Sequence, residues 1–119
     1  MAKSIYQVAT EFEKKLRKLA YSNFPGPENV TEVVNKVLEN NPNLLKGFKQ
    51  LGNIDVQNAI DNTSSVYVQL VFEPNRYEQL ISEPFRSELI SSLQPQIEQA
   101  LKTEFGAFNF RVKLGVVPL

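Results

Sequence analysis

Three side-chain types with distinctive chemistry are missing from the 119 residues: the chain has no histidine, no cysteine and no tryptophan. Without His or Cys, the sequence excludes a Cys/His zinc site, a thiolate nucleophile, a disulfide framework and a Ser-His-Asp triad. We therefore expect no metal ligands and no cofactor. The length suits a single domain over residues 1–119, which would bury roughly two-thirds of its unfolded surface.

A charge excess of either sign is also missing, because 13 Lys+Arg balance 13 Asp+Glu. A zero sum disfavours a partner that is found mainly by electrostatic attraction. Residues 1–49 nevertheless lean basic and residues 50–104 lean acidic. No stretch approaches the ~18 apolar residues of a membrane span, and the first residues lack the apolar run of a signal peptide. We therefore expect a cytoplasmic protein with no membrane partner.

Helical periodicity characterises the first part of the chain. Residues 3–22 place apolar side chains three or four apart, which is typical of an amphipathic helix. A second helix is expected to begin near Pro27, because a proline at the first helical position costs no hydrogen bond. Further apolar residues between 44 and 51 predict one or two more helical turns, ended by Gly52.

After Gly52 the apolar residues alternate instead. Residues 54–60 suggest the first strand of a β-hairpin, although the same residues also fit a helical turn. Turn-forming residues at 61–65 follow, and the second strand over 66–72 is better defined. Its apolar face is formed by Val66, Val68, Leu70 and Phe72.

The last part of the chain combines a long helix with a strand. Residues 76–104 are helical in pattern, and we expect Pro95 to kink this helix rather than end it. Residues 108–116 then alternate strictly between apolar and polar side chains. The expected fold class is α+β: a three-stranded sheet, a hairpin plus a C-terminal strand, covered on one face by helices in the order α-α-β-β-α-β.

The stretch from Val66 to Val116 resembles a small α+β domain found in bacterial replication proteins. The matching residues are the run from Val68 to Tyr77 (VQLVFEPNRY), the helix from Ser91 to Leu101, Phe105-Gly106, and Phe110-Arg111-Val112. Such domains form the N-terminal domain of the replication initiator DnaA and the C-terminal domain of the clamp-loader tau subunit. The resemblance implies a non-enzymatic domain that recruits other proteins of a DNA-handling assembly.

Two surfaces are candidates for partner binding. Lys14 and Lys18 belong to a basic run in the first predicted helix, although i,i+4 pairs with nearby acids favour a simple solvated face. Tyr67, Arg111 and Lys113 would share the outward sheet face if the second and third strands pair. An aromatic ring beside two cations is also typical of proteins that bind single-stranded nucleic acid, in which bases stack on rings and cations contact phosphates. A homodimer through an edge strand at 116–119 is a further alternative.

Nothing in the sequence identifies an active site. The carboxylate pairs Asp55/Asp61 and Glu83/Glu88 have the side chains for acid–base chemistry, yet no phosphate-binding glycine loop accompanies them. We therefore expect no enzyme. The leading hypothesis is an adaptor that binds a protein partner; the alternatives are a single-stranded nucleic-acid-binding module and a self-associating subunit.

Overall fold

Three helices and three strands make up residues 24–119, the part of the chain that the computed structural model describes. In chain order they are α1 (Pro27–Glu39), β1 (Phe48–Asn58), β2 (Thr63–Phe72), α2 (Pro74–Leu80), α3 (Phe85–Glu104) and β3 (Asn109–Pro118). The helix predicted over residues 3–22 lies outside the described residues. The expected α+β class is confirmed, and so is the order of the elements described.

The sheet has the order β1-β2-β3, with β2 in the centre. β1 and β2 form the predicted hairpin and pair antiparallel, with Val56 opposite Val66. β2 and β3 pair parallel, with Val66 opposite Val112. A parallel pair needs a long crossover connection, and α2 and α3 supply it. β3 therefore lies at one edge of the sheet and β1 at the other.

Helix α1 begins where the sequence predicts. Pro27 occupies its first turn, and Glu28 places a carboxylate near the positive end of the helix dipole. The apolar stripe faces inward and is buried; it comprises Val30, Val33, Val34, Val37 and Leu38. α1 packs beside α3, and together these two helices cover one face of the sheet.

The segment between α1 and β1 is not helical, which corrects the prediction for residues 44–51. Residues 42–47 form turns, and β1 already begins at Phe48. The reason is Gly47, whose φ of 80° lies in the left-handed region and directs the chain into the strand. A side chain there would also collide with Arg76, since an added Cβ would lie 2.5 Å from the Arg76 Cβ. The open question over residues 54–60 is resolved as strand through Asn58.

The hairpin turn is shorter than the predicted turn at 61–65, because Thr63, Ser64 and Ser65 already belong to β2. The Ala59 N–H donates to the Thr63 carbonyl at 2.9 Å and closes the turn. Asn62 adopts a φ of 64°, a conformation that Asn tolerates better than most residues.

The predicted helix over 76–104 is divided in two, and only its second part is long. α2 ends at Leu80, and α3 begins at Phe85, directly after Pro84. A proline disfavours helical geometry in the residue before it and donates no hydrogen bond, so the helix does not continue through this point. Pro95, by contrast, lies inside α3 with its ring exposed, as the sequence predicts.

The hydrophobic core lies between the sheet and the helices. We call the helix-side surface of the sheet the covered face. Its buried residues are Val66, Val68, Leu70, Phe72, Val112 and Leu114. They pack against α1 and against the inward stripe of α3, which comprises Leu89, Leu93, Ile97 and Leu101. The odd-numbered residues of β2 and β3 point to the opposite surface, which no described helix covers.

Candidate functional site

The surface opposite the helices brings three predicted site residues together. The parallel register places Ser65 opposite Arg111 and Tyr67 opposite Lys113, so Tyr67, Arg111 and Lys113 share one face of two neighbouring strands. All three side chains are exposed. The other two predicted site residues, Lys14 and Lys18, lie outside the described residues.

β1 contributes two residues that the sequence analysis did not assign to the site. Asp55 pairs with Tyr67, and Gln57 pairs with Ser65, so both point to the same surface. We call this surface the open face and define it by six exposed side chains: Asp55, Gln57, Ser65, Tyr67, Arg111 and Lys113. These six residues line a shallow depression of about 310 Å³.

Tyr67 lies at the centre of the open face, and its ring rests across the neighbouring strand. A Cβ added to Gly115 would lie 3.2 Å from the Tyr67 Cζ and in contact with the hydroxyl. The missing side chain at Gly115 therefore lets the ring lie close to the sheet backbone. One surface of the ring packs against the protein, and 36% of the residue remains exposed. Tyr67 thus presents a partly fixed aromatic surface to whatever binds here.

Charges on the open face are separated by strand. The acid, Asp55, is on β1, whereas the two cations, Arg111 and Lys113, are on β3. Strands β1 and β3 are separated by β2, so their backbones lie roughly 10 Å apart. Among the described residues, the hydrogen bond that Asp55 accepts comes from its neighbour Gln57, at 3.4 Å. The face therefore has an acidic side and a basic side with an aromatic ring between them.

The outer edges of the sheet are less available than its open face. The Val112 N–H of β3 points away from β2 and donates to Glu98 Oε1 of α3 at 3.0 Å. Pro118 has no N–H at all. On the other edge, β1 is interrupted by two register shifts, between Phe48 and Gln50 and between Leu51 and Ile54. Bulges and side chains that occupy edge donors are common ways of protecting a sheet edge from strand addition.

Two of the four candidate catalytic carboxylates, Asp61 and Glu83, accept local hydrogen bonds. Asp61 Oδ1 accepts the Thr63 N–H at 3.1 Å within the hairpin turn. Glu83 accepts a hydrogen bond from the Ser87 hydroxyl at the start of α3. Residues 24–119 contain no group of three His, Cys, Asp or Glu side chains that could hold a metal ion. Within the same part of the chain, no helix has the length and apolar character needed to cross a membrane.

Comparisons with known proteins do not assign a family. No family model matches the chain, and no curated protein matches it. Among solved structures, it is similar to that of CzrB, described as a proposed zinc transporter, with 18% sequence identity and a TM-score of 0.46. The match covers 81% of this chain and 99% of that one. A similarity at this level carries no argument about function, and the resemblance to replication domains stays a prediction.

Proposed function

We propose that this protein is a non-enzymatic adaptor that binds a protein partner on the open face of its sheet. The observation that carries the proposal is the convergence of exposed side chains from all three strands onto one surface. An aromatic ring with an adjacent arginine is the kind of group that dominates protein interfaces energetically. The proposal includes a cytoplasmic location and, through the sequence resemblance alone, a role in a DNA replication or DNA-handling assembly.

The mixed charge of the open face favours a protein over a nucleic acid. A nucleic-acid platform needs cations along the phosphate path and usually several rings for base stacking. The open face offers one ring, Tyr67, and places the carboxylate of Asp55 on the strand opposite the two cations. A protein partner can satisfy both signs of charge, whereas a phosphate backbone would be repelled on the β1 side.

The adaptor proposal is tested by removing the basic side of the open face. We would compare wild-type protein, the R111S/K113S variant and the R86S/K102S variant as bait in a lysate, and identify captured proteins by mass spectrometry. Arg86 and Lys102 are exposed on α3, so the second variant loses the same charge away from the open face. We expect about tenfold less partner on R111S/K113S, because an interfacial arginine commonly contributes more than ~1 kcal/mol to binding.

Two results would contradict the adaptor proposal. The first is an equal loss of partner from both variants, which would indicate a general charge effect. The second is full retention of the same partners by R111S/K113S, which would place the binding surface elsewhere. Nuclease treatment of the lysate separates a direct protein contact from one bridged by nucleic acid.

A single-stranded nucleic-acid-binding module is the second candidate, because the structure brings Tyr67 next to both cations. Fluorescence anisotropy with a labelled single-stranded oligonucleotide tests it directly. Two phosphate contacts predict that raising the salt concentration fourfold weakens binding about sevenfold. Binding that disappears in R111S/K113S and in Tyr67→Ala, but persists in R86S/K102S, would replace the adaptor proposal with this one.

A further inference from the structure

The open face has a pattern of charge that is complementary to itself. Asp55, Tyr67 and Lys113 occupy one level across the sheet, because Tyr67 pairs with Asp55 on one side and with Lys113 on the other. The level of Ser65 repeats the arrangement, with Gln57 on β1 and Arg111 on β3. At each level, the β1 side chain is a hydrogen-bond acceptor and the β3 side chain is a cation.

A second copy of the chain can meet this pattern in one orientation. A two-fold axis parallel to β2 and above Tyr67 turns the second sheet over, exchanges the positions of β1 and β3, and leaves every level unchanged. Each Asp55 then faces Lys113 of the second copy, and each Gln57 faces Arg111. The two Tyr67 rings meet at the centre. An axis running across the strands would instead oppose Asp55 to Asp55 and Lys113 to Lys113.

The surface shape of the open face is also compatible with packing against a second β-sheet. Gly52 on β1 and Gly115 on β3 carry no side chains here: an added Cβ would lie 3.1 Å from the Gln69 Cβ at Gly52, and against the Tyr67 ring at Gly115. Sheets stack face to face at about 10 Å when side chains of moderate height interdigitate. Glu98 engages one edge donor of β3 and register shifts interrupt β1, so the open face is a less obstructed surface for association than either edge.

We propose that the open face binds a second copy of this chain, forming a face-to-face dimer with two Asp55–Lys113 pairs around a Tyr67–Tyr67 contact. This inference rests on the proposed function and names the partner of that same surface. The exposed part of the three strands covers on the order of 300–400 Å² per copy. That area is below the usual size of a stable interface, so the dimer is weak and depends on protein concentration.

Charge reversal tests the dimer by analytical ultracentrifugation of nuclease-treated protein from about 10 μM to 1 mM. The variants are Asp55→Lys and Lys113→Asp, because each alone opposes like charges twice across the two-fold axis. We expect each to raise the dissociation constant about tenfold. An equimolar mixture of the two variants restores both pairs, and we expect it to associate within about threefold of wild type. Glu104→Lys and Lys102→Asp, which change exposed α3 residues by the same charges, leave association unchanged.

The outcomes separate this inference from the proposed function. Wild-type protein that stays monomeric at every concentration overturns the dimer, whereas the bait experiment on R111S/K113S still decides the adaptor proposal. A dimer that is indifferent to charge reversal at Asp55 and Lys113 places self-association on another surface and also overturns it. The dimer is also overturned if the open face binds an oligonucleotide or a different protein while the chain stays monomeric.

Discussion

Around Tyr67, successive residues of β2 alternate between two faces that differ sharply in exposure. Val66, Val68, Leu70 and Phe72 on the covered face are at most 1% exposed. Tyr67, between Val66 and Val68, is 36% exposed. The covered face supplies most of the apolar burial that stabilises the fold, and the open face contributes less. Substitutions on the open face should therefore affect binding more than stability, and substitutions on the covered face should mainly affect stability.

The largest expected difference is between the two aromatic residues of β2. Phe72 is fully buried and packs edge-on against Phe48, with ring centroids 5.7 Å apart. Phe72→Ala should lower the free energy of unfolding by about 3–5 kcal/mol, whereas Tyr67→Ala, whose ring packs on one side only, should cost about 1–2 kcal/mol. Urea unfolding followed by circular dichroism measures both. If Phe72→Ala does not fold, Phe72→Leu provides the same comparison at a smaller cost. Equal costs at the two positions would show that the open face belongs to the core.

A smaller difference is expected between two adjacent serines. Ser64 is completely buried, and its hydroxyl donates to Asn58 Oδ1 at 2.9 Å. Ser64→Ala leaves that oxygen without its partner and should cost about 1–3 kcal/mol. Ser65 is exposed on the open face, so Ser65→Ala should change the stability by less than about 0.5 kcal/mol. The same urea titration measures both variants, and a Ser64→Ala protein as stable as Ser65→Ala would contradict the assignment of a structural hydrogen bond.

The smallest expected effect concerns the outer edge of β3. Glu98→Ala removes the acceptor of the Val112 N–H and should cost about 1 kcal/mol, while Glu98→Gln retains an acceptor and should cost less. Gln99→Ala, at the exposed neighbouring position, serves as the control. Light scattering during prolonged storage should show that Glu98→Ala aggregates faster, since an unpaired donor on an edge strand invites strand addition. Unchanged aggregation would mean that Glu98 does not protect this edge.

Most of the fold could be predicted from the sequence, because alternation over 66–72 and 108–116 reports burial on one face directly. The prediction was wrong over 44–51, where Leu44, Leu45, Phe48 and Leu51 have helical spacing. Gly47 adopts a left-handed conformation close to Arg76, and this conformation directs the chain into β1 instead of a helix. The spacing of apolar residues contains no information about such a contact. Pro84 similarly divided a helix whose periodicity continued beyond it.

The candidate site could be predicted only in part. Alternation placed Tyr67, Arg111 and Lys113 on polar faces, and the pairing of β2 with β3 joined them. Asp55 could not be placed beside Tyr67 from the sequence, because the hairpin turn sets the register at Asp55, and Thr63, Ser64 and Ser65 were expected in that turn rather than in β2. A shift of one residue would have turned Asp55 toward the core. The alternation of Asp55 with the apolar residues Ile54 and Val56 could have placed Asp55 on the outward face of β1. The sequence pattern does not, however, identify the β2 residue that pairs with Asp55.

The parallel pairing of β2 with β3 has a consequence for the order of folding. The hairpin closes locally, with Ala59 bonded to Thr63, whereas Thr63 finds Asn109 only after both crossover helices have been made. Contacts between distant residues form slowly, because the intervening chain must be ordered first. During synthesis, the most apolar strand of the sheet therefore waits with one edge unpaired until residues 109–118 have left the ribosome. β3 thus completes the sheet and ends the period in which a nascent chain is most exposed to aggregation.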